Sequence, residues 1–363
     1  MVSIEEDKTA IWVITPNGTK LAELLSRNLS QSDVYISQKI AETPIGHLSF
    51  ENLSETLSHK FNQYSGHVFI MSTGIVVRVI APLVKSKLDD PAVVVVDDQG
   101  NHAISLLSGH LGGANALTLR IAGIIGADPV ITTATDVNRV PAIDVLAKEM
   151  NLLIENPRAI KTVNMALLKG EKIFVHDPFG YLGNNLPHAE PCTYGGTVDR
   201  SKKHCRVSEF EGVPGVYVDD LAVDLPPQVL VLRPASLAAG IGCNRNTAME
   251  EMKALLEDVF ETYKLAPSSL RSLASSDVKS DERGVLSLAE NLNLPLVFYN
   301  RQELNQVKEI KNPSIVVEKH VGVKSVCEAA AILTANGGPL IVPKQSTKNV
   351  TVAIARINFL SSE

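Results

Sequence analysis

No apolar run in this chain approaches the roughly 20 residues needed to cross a bilayer. The longest, such as Pro91 to Val96 and Leu340 to Pro343, are far shorter, so neither a transmembrane helix nor a membrane partner is expected. A secretory signal is not expected either. MVSIEEDKTAIWVITPNG puts acids ahead of a short apolar run, where a signal would show a basic start and a longer apolar stretch; the expected compartment is the cytoplasm. Cysteine is sparse: Cys192, Cys205, Cys243 and Cys327 are scattered without disulfide-like density and read as thiols. Positive charge is not in excess. A formal net charge of -6 argues against a nucleic-acid partner, since phosphate neutralisation needs a basic face, although local basic clusters could still receive a polyanion. A P-loop is absent, and Gly240-Ile241-Gly242 lacks the third glycine of a dinucleotide fingerprint.

What is present is the material for several cores. Of 363 residues, 45% are hydrophobic and 20% charged, which suits an ordered globular chain of two or three domains. Ala10 to Thr15 is an apolar run that ends in Pro16-Asn17-Gly18 and gives way to a helical pattern from Lys20 to Leu29. HVFIMS at 67–72 and AVVVVDD at 92–98 are β-branched runs of the kind buried on both faces of a mainly parallel sheet. The fold class is therefore α/β, with a mainly parallel-sheet N-terminal domain over 1–140. A middle region over 141–234 is loop-rich, because prolines and glycines from Pro178 to Gly215 break any long period, and QVLVLRP closes it as a strand. A second, smaller α/β domain over 235–363 carries helices at Asn246–Tyr263 and Gly284–Asn291 and the strand PLVFY.

In such folds ligands lie beyond the carboxyl ends of strands, which directs attention to strand-to-helix turns. Ser105-Leu106-Leu107-Ser108-Gly109-His110-Leu111-Gly112-Gly113-Ala114-Asn115 joins the AVVVVDD region to a helix beginning near Gly113. Glycines there let backbone approach a ligand, helix-start amides favour a carboxylate or an oxyanion, and His110 at the mouth can exchange a proton near neutral pH. A packed turn with a capping histidine would read the same. Val130-Ile131-Thr132-Thr133-Ala134-Thr135-Asp136 ends a strand in hydroxyls and a carboxylate: Asp136 is suited to orienting His110 or to acting as a base, and Thr133 and Thr135 to donating to substrate acids, while capping of a helix near Val140-Pro141 is the structural alternative. Ser72-Thr73-Gly74 before a helical turn suits an anion, with Arg78 adding a two-pronged contact to a carboxylate; Lys85 and Lys87 read as solvated surface.

Further along, Gly240, Gly242 and Arg245 form another strand-to-helix turn, suited either to a carboxylate contact or to a purely structural role, and Asp277 and Lys279 lie in a polar turn ahead of a helix. His188, Cys192, His204 and Cys205 lack the paired short spacings of finger or ribbon zinc sites, so no metal site is expected.

Taken together these segments resemble the cobalt-precorrin-5A hydrolase family over most of the chain. The resemblance rests on STGIVVRVIAP (72–82), DPAVVVVDDQG (90–100), ISLLSGHLGGANALT (104–118) and PVITTATD (129–136), then on GIGCNRNT (240–247), SSDVKSDERGVLSLAENLNLPLVFY (275–299), GVKSVCEAAAIL (322–333) and NVTVAIAR (349–356). Asn244 and Asn246 depart from the basic or glycine residues expected at their positions, and the middle region adds little recognisable sequence.

The resemblance implies opening of a δ-lactone on cobalt-precorrin-5A and loss of acetaldehyde to give cobalt-precorrin-5B, with no organic cofactor and with cobalt carried by the substrate. On that reading His110, with Asp136 as partner or alternative, activates water, and the helix start at Gly112 to Ala114 receives the oxyanion. Ser72, Thr73, Gly74, Arg78, Ser108, Gly109, Gly112, Gly113, Asn115, Thr133, Thr135, Gly240, Gly242, Arg245, Asp277 and Lys279 are the substrate-binding candidates for an anionic cobalt-corrinoid. Transient contact with neighbouring pathway methyltransferases and a homo-oligomer are left open. The rival reading is a noncatalytic tetrapyrrole carrier, which would bind without releasing aldehyde.

Overall fold

The structure, a computed structural model, describes residues 8–40, 46–86, 89–183, 185–186, 189–191, 212–313 and 323–358. Lys87, His188, Cys192, His204 and Cys205, singled out above, lie outside the described residues. The chain divides into two compact units, 1–146 and 147–363. Among the described residues no helix is long and apolar enough to cross a membrane.

The first unit runs β1 (Thr9–Val13), α1 (Pro16–Asn28), β2 (Ser32–Ser37), β3 (Leu48–Phe50), α2 (Leu53–Lys60), β4 (Gly66–Ile70), α3 (Thr73–Ile80), β5 (Ala92–Val96), β6 (His102–Leu107), α4 (Ala114–Ile125), β7 (Asp128–Val130), α5 (Ala134–Val137) and α6 (Ile143–Glu149). Its seven strands are ordered β3-β2-β1-β4-β5-β6-β7. The β-branched runs are buried on both faces, as continuous apolar strands of a layered sheet must be. Ile11, Val13, Val68, Ile70, Val94 and Val96 face Ala22, Leu25 and Ile121, whereas Ala10, Trp12, Phe69, Val93 and Val95 face Leu57, Val76 and Ile80.

One pairing decides where the chemistry can sit. All neighbours in this sheet are parallel except β5 and β6, which are antiparallel. Asp97 makes the reversal: its carboxylate accepts from the amides of Gln99 and His102, and Gly100 takes φ +73° in the turn. The sequence reading carried the chain from AVVVVDD straight toward the helix and overlooked this hairpin. As a result β6 ends beside Val93, at the amino edge of β5, and the loop 108–113 leaves the sheet on the edge opposite the Ser72-Thr73-Gly74 turn.

The second unit holds two five-stranded sheets. One is built from β8 (Leu152–Ile154), β9 (Ile173–His176), β10 (Ala189–Pro191), β11 (Gly215–Val218) and β12 (Val229–Pro234) in the order β10-β9-β11-β12-β8, with α7 (Ile160–Leu168) alongside. The region read as loop-rich thus contains a sheet of its own. The other comprises β13 (Leu237–Cys243), α8 (Met249–Thr262), β14 (Leu270–Ser276), α9 (Arg283–Leu292), β15 (Leu296–Tyr299), α10 (Arg301–Gln306), α11 (Val326–Thr334), β16 (Leu340–Ser346) and β17 (Val350–Arg356), with strand order β15-β14-β13-β17-β16. Leu237, Ala239 and Ile241 of β13 pack on Met252, Leu256 and Val259 of α8, and Ala238 packs with Cys327 and Ala331 of α11.

Candidate active site

Three segments of the first unit meet around one imidazole. His110 sits in the loop between β6 and α4, Asp136 in α5 and Asp144 in the first turn of α6. The His110 Nε2 lies 3.0 Å from Asp136 Oδ2 and 3.0 Å from the Thr135 hydroxyl; its Nδ1 lies 3.4 Å from Asp144 Oδ2. Exposure is graded across the set: 40% for the Asp136 side chain, 20% for His110 and 6% for Asp144. The ring therefore stands between an outer and an inner carboxylate.

Asn115 builds the outer half. Buried in the first turn of α4, it accepts from Ser105 Oγ at 2.7 Å and donates through Nδ2 to Thr133 Oγ1 at 2.8 Å and to Asp136 Oδ2 at 3.0 Å. Thr133 also donates to that oxygen, at 2.6 Å. The Asp136 carboxylate is thus clamped through one oxygen by an amide, a hydroxyl and the ring. Burial works against its charge, but the Thr133 hydroxyl and His110 prevail and hold it below the usual carboxylate range. His110 is pushed the other way: hydrogen bonding to Asp144 raises its pKa, burial opposes, and Asp136 adds to the rise.

The glycines of this loop serve its closure. A Cβ on Gly112 would stand 2.3 Å from Ser108 Cβ and 2.8 Å from the Ser108 carbonyl, and one on Gly109 would meet Asn115 Oδ1 at 2.8 Å. Gly113 takes φ +86° and opens α4 in the left-handed region, where glycine is at ease. Two of the three amides expected to receive an oxyanion at Gly112 to Ala114 have partners within the loop. The amides of Gly113 and Ala114 already donate to the carbonyls of His110 and Ser108, so a developing oxyanion would have to displace those bonds. Ser108 takes φ +58°, and its hydroxyl is buried without a hydrogen-bond partner.

Ser72, Thr73, Gly74 and Arg78 are gathered elsewhere in the unit. Ser72 opens α3 at the carboxyl end of β4, and the exposed Arg78 turns back to donate to the Gly74 carbonyl at 2.9 Å. Sequence reasoning placed these residues and His110 alike at strand carboxyl ends; the antiparallel β6 separates them by the length of β5.

In the second unit Gly242, in the last residues of β13, lies with Arg245, Asp277 and Lys279 at the carboxyl ends of β13 and β14. Gly242 and Lys279 line a cavity of about 190 Å³ with Ser325, Lys344 and Thr351. Arg245 is engaged within the protein: it pairs with Asp281, lies 3.6 Å from Glu282 and donates to the Val278 carbonyl at 2.8 Å. Lys279 is 3.7 Å from Glu282, and Asp277 accepts from the Ser276 hydroxyl at 3.2 Å. Gly240 is closely packed by the neighbouring helix. A Cβ there would sit 1.9 Å from the Cys327 carbonyl, so this glycine lets α11 lie directly on β13.

Asp144 was missed. Its signal was an acidic residue within the apolar run Ala142-Ile143-Asp144-Val145-Leu146-Ala147, a type that is seldom buried without a partner. Among the described residues no group of three or more histidine, cysteine or acidic side chains has the geometry to hold a metal ion.

An imidazole clasped by carboxylates beside clustered hydroxyls has the chemistry to pass a proton, and the fold that carries it is α/β. Family models match most of the chain: "Cobalamin synthesis G N-terminal" over 55–136, "Cobalamin biosynthesis central region" over 141–234 and "Cobalamin synthesis G C-terminus" over 237–355. The cobalt-precorrin-5A hydrolase of Salmonella typhimurium is 36% identical over 339 residues, covering 93% of this chain and 94% of that protein. The cobalt-precorrin-5A hydrolase of Priestia megaterium is 32% identical over 381 residues, covering 99% of this chain and all of that protein. Protein CobE of a Sinorhizobium species is 35% identical over 131 residues, covering 36% of this chain and 85% of that protein. The chain belongs to the cobalt-precorrin-5A hydrolase family.

Proposed function

We propose that this enzyme opens the δ-lactone of cobalt-precorrin-5A with water and releases acetaldehyde, giving cobalt-precorrin-5B. The observation that carries the reading is the His110–Asp136 pair, 3.0 Å apart at the surface of a chain aligned nearly end to end with two hydrolases of that name. Water attacks the lactone carbonyl as its proton passes to His110, and Asp136 beside the ring steadies the imidazolium that forms. Collapse gives a free acid and an alcohol at C20. The carbon–carbon bond between C20 and the ring then breaks: the C20 hydroxyl gives its proton to the same base and its oxygen becomes the aldehyde oxygen, while the electron pair of the broken bond stays on the macrocycle and takes up that proton. One water is consumed and one acetaldehyde is formed. Cobalt enters with the substrate, and no organic cofactor takes part. The reaction belongs in the cytoplasm, where the anionic corrinoid passes between this enzyme and the methyltransferases of its pathway.

The test is aldehyde trapping with purified cobalt-precorrin-5A. The intact protein should release one acetaldehyde per substrate, and His110→Ala should lower kcat by about 10²-fold or more, the contribution usual for a positioned base. Unchanged turnover in that variant would remove His110 from the chemistry, and binding without aldehyde from the unsubstituted chain would mark a carrier.

A further inference from the structure

We infer that Asp144 is the positioning residue of this site, its buried carboxylate taking the Nδ1–H of His110 so that Nε2 is left to exchange the proton at the exposed side. The role in turnover rests on the hydrolase reading above; the geometry does not.

Consider the ring in each protonation state. Charged, it donates from Nδ1 toward Asp144 and from Nε2 to Asp136, so both nitrogens are satisfied. Neutral, it keeps the Nδ1–H toward Asp144 while Nε2 turns acceptor and receives the Thr135 hydroxyl, 3.0 Å away. No nitrogen is stranded in either state, which is what a group that repeatedly gains and loses a proton requires. Without the inner carboxylate the two tautomers would compete, because Asp136 and Thr135 can serve either form of Nε2. Asp144 removes that choice. Its depth matters as well: an anion at 6% exposure is poorly screened, so it acts on the ring more strongly per ångström than the outer Asp136. Apo catalytic contacts are often long and tighten on substrate binding, and 3.4 Å at Nδ1 is of that kind.

The groups facing the ring can be named by element. Asp136 and Thr135 come from α5 and Asp144 from α6; Thr133, just before α5, and Asn115 from α4 act on Asp136 and not on the ring. Asp90, whose carbonyl lies near Gly112, turns its carboxylate to the amides of Lys85 and Ser86. The charged groups that act on His110 are therefore the two aspartates.

The experiment follows the His110 ring nitrogens by NMR across pH in the intact protein with labelled histidine, using His110→Gln for assignment. The unsubstituted chain should titrate above about 6.5 and show the Nδ1–H form when neutral. Asp144→Asn should lower that midpoint and erase the tautomer preference, and the acid limb of kcat/KM for acetaldehyde release should move to lower pH with it. In that variant kcat should fall about 10²-fold or more while KM holds. Asp144→Glu, which keeps the charge, should restore part of the midpoint and covers the case in which the asparagine variant does not fold. An unchanged midpoint and tautomer in Asp144→Asn would overturn the inference, as would an Asp144→Glu midpoint no higher than about 6.5, or lost activity with an unmoved pH profile. If the ring signature depends on Asp144 but no aldehyde is formed by the unsubstituted protein, the hydrolase reading fails and the positioning role stands.

Discussion

Asn115→Asp should disable the outer half of the site through charge alone. The replacement is isosteric and retains the acceptor for Ser105, but it exchanges an amide nitrogen for a carboxylate oxygen 3.0 Å from Asp136 Oδ2. Two unit charges at that distance repel by about 5 kcal/mol at an effective dielectric of ~20 and by about 1 kcal/mol in bulk water. Asp136 is partly exposed, so the cost falls between these limits, equivalent to roughly one to four pKa units at ~1.4 kcal/mol each. Toward the upper end of that range such a pair takes up a proton near neutral pH; below it, the added charge bears on the His110 ring instead. Thr133 also loses the donor it receives from Asn115 at 2.8 Å. The acid limb of acetaldehyde release should therefore move upward by a unit or more, and kcat at pH 7 should drop by at least tenfold, with the circular dichroism spectrum unchanged. A profile that stays in place in a folded variant would refute the assignment of Asp136 and Asn115 to the proton-transfer machinery.

Three further outcomes follow from packing and burial. Gly112→Ala should cost about 1–3 kcal/mol in chemical unfolding and should abolish most aldehyde release, because the new Cβ collides with Ser108 and moves the loop that carries His110. Gly240→Ala should destabilise the second unit by about 3 kcal/mol or more, seen as a lowered Tm, since no flexible side chain stands between its Cβ and the Cys327 carbonyl. His67, sealed between Trp12 Nε1 at 3.0 Å and the Phe61 carbonyl at 2.9 Å, has its pKa pushed down to about 4 by burial. A depressed histidine favours the fold most fully above the unfolded value of ~6.5. That contribution is lost as pH falls toward 4, amounting to about 3 kcal/mol at pH 4, and urea unfolding of the protein beside His67→Gln at pH 7 and pH 4 should show the difference.

How far the sequence carried can be argued from two turns. AVVVV at 92–96 is unambiguous, because only a strand covered on both faces tolerates five consecutive apolar β-branched or small residues. Helix starts were less legible: Pro16-Asn17-Gly18 reads as a turn before a helix from Lys20, but Thr15 accepts from the Gly18 amide and α1 begins at Pro16, and the capping box of Asn300 with Glu303 ahead of α10 went unread. The direction of β6 was not read, although its signal was present: Asp97-Asp98-Gln99-Gly100-Asn101 between two apolar runs is a reversal, with glycine where a positive φ falls. Taken as a hairpin, it would have set His110 on the opposite edge from Arg78 and shown that one pocket could not hold both.

The inner carboxylate was hidden for a different reason. A boundary drawn at 140 assigned Asp144 to another domain, and the family models also divide between 136 and 141; yet the compact unit continues to Leu146. His110 binds its partners across 26 and 34 residues of chain, so no local spacing could announce the set. What local pattern reveals is a residue's chemical aptitude. Which neighbour completes it is decided by the order and direction of strands, and here a single antiparallel return brings the loop of His110 to the side of the sheet where α5 and α6 supply their acids.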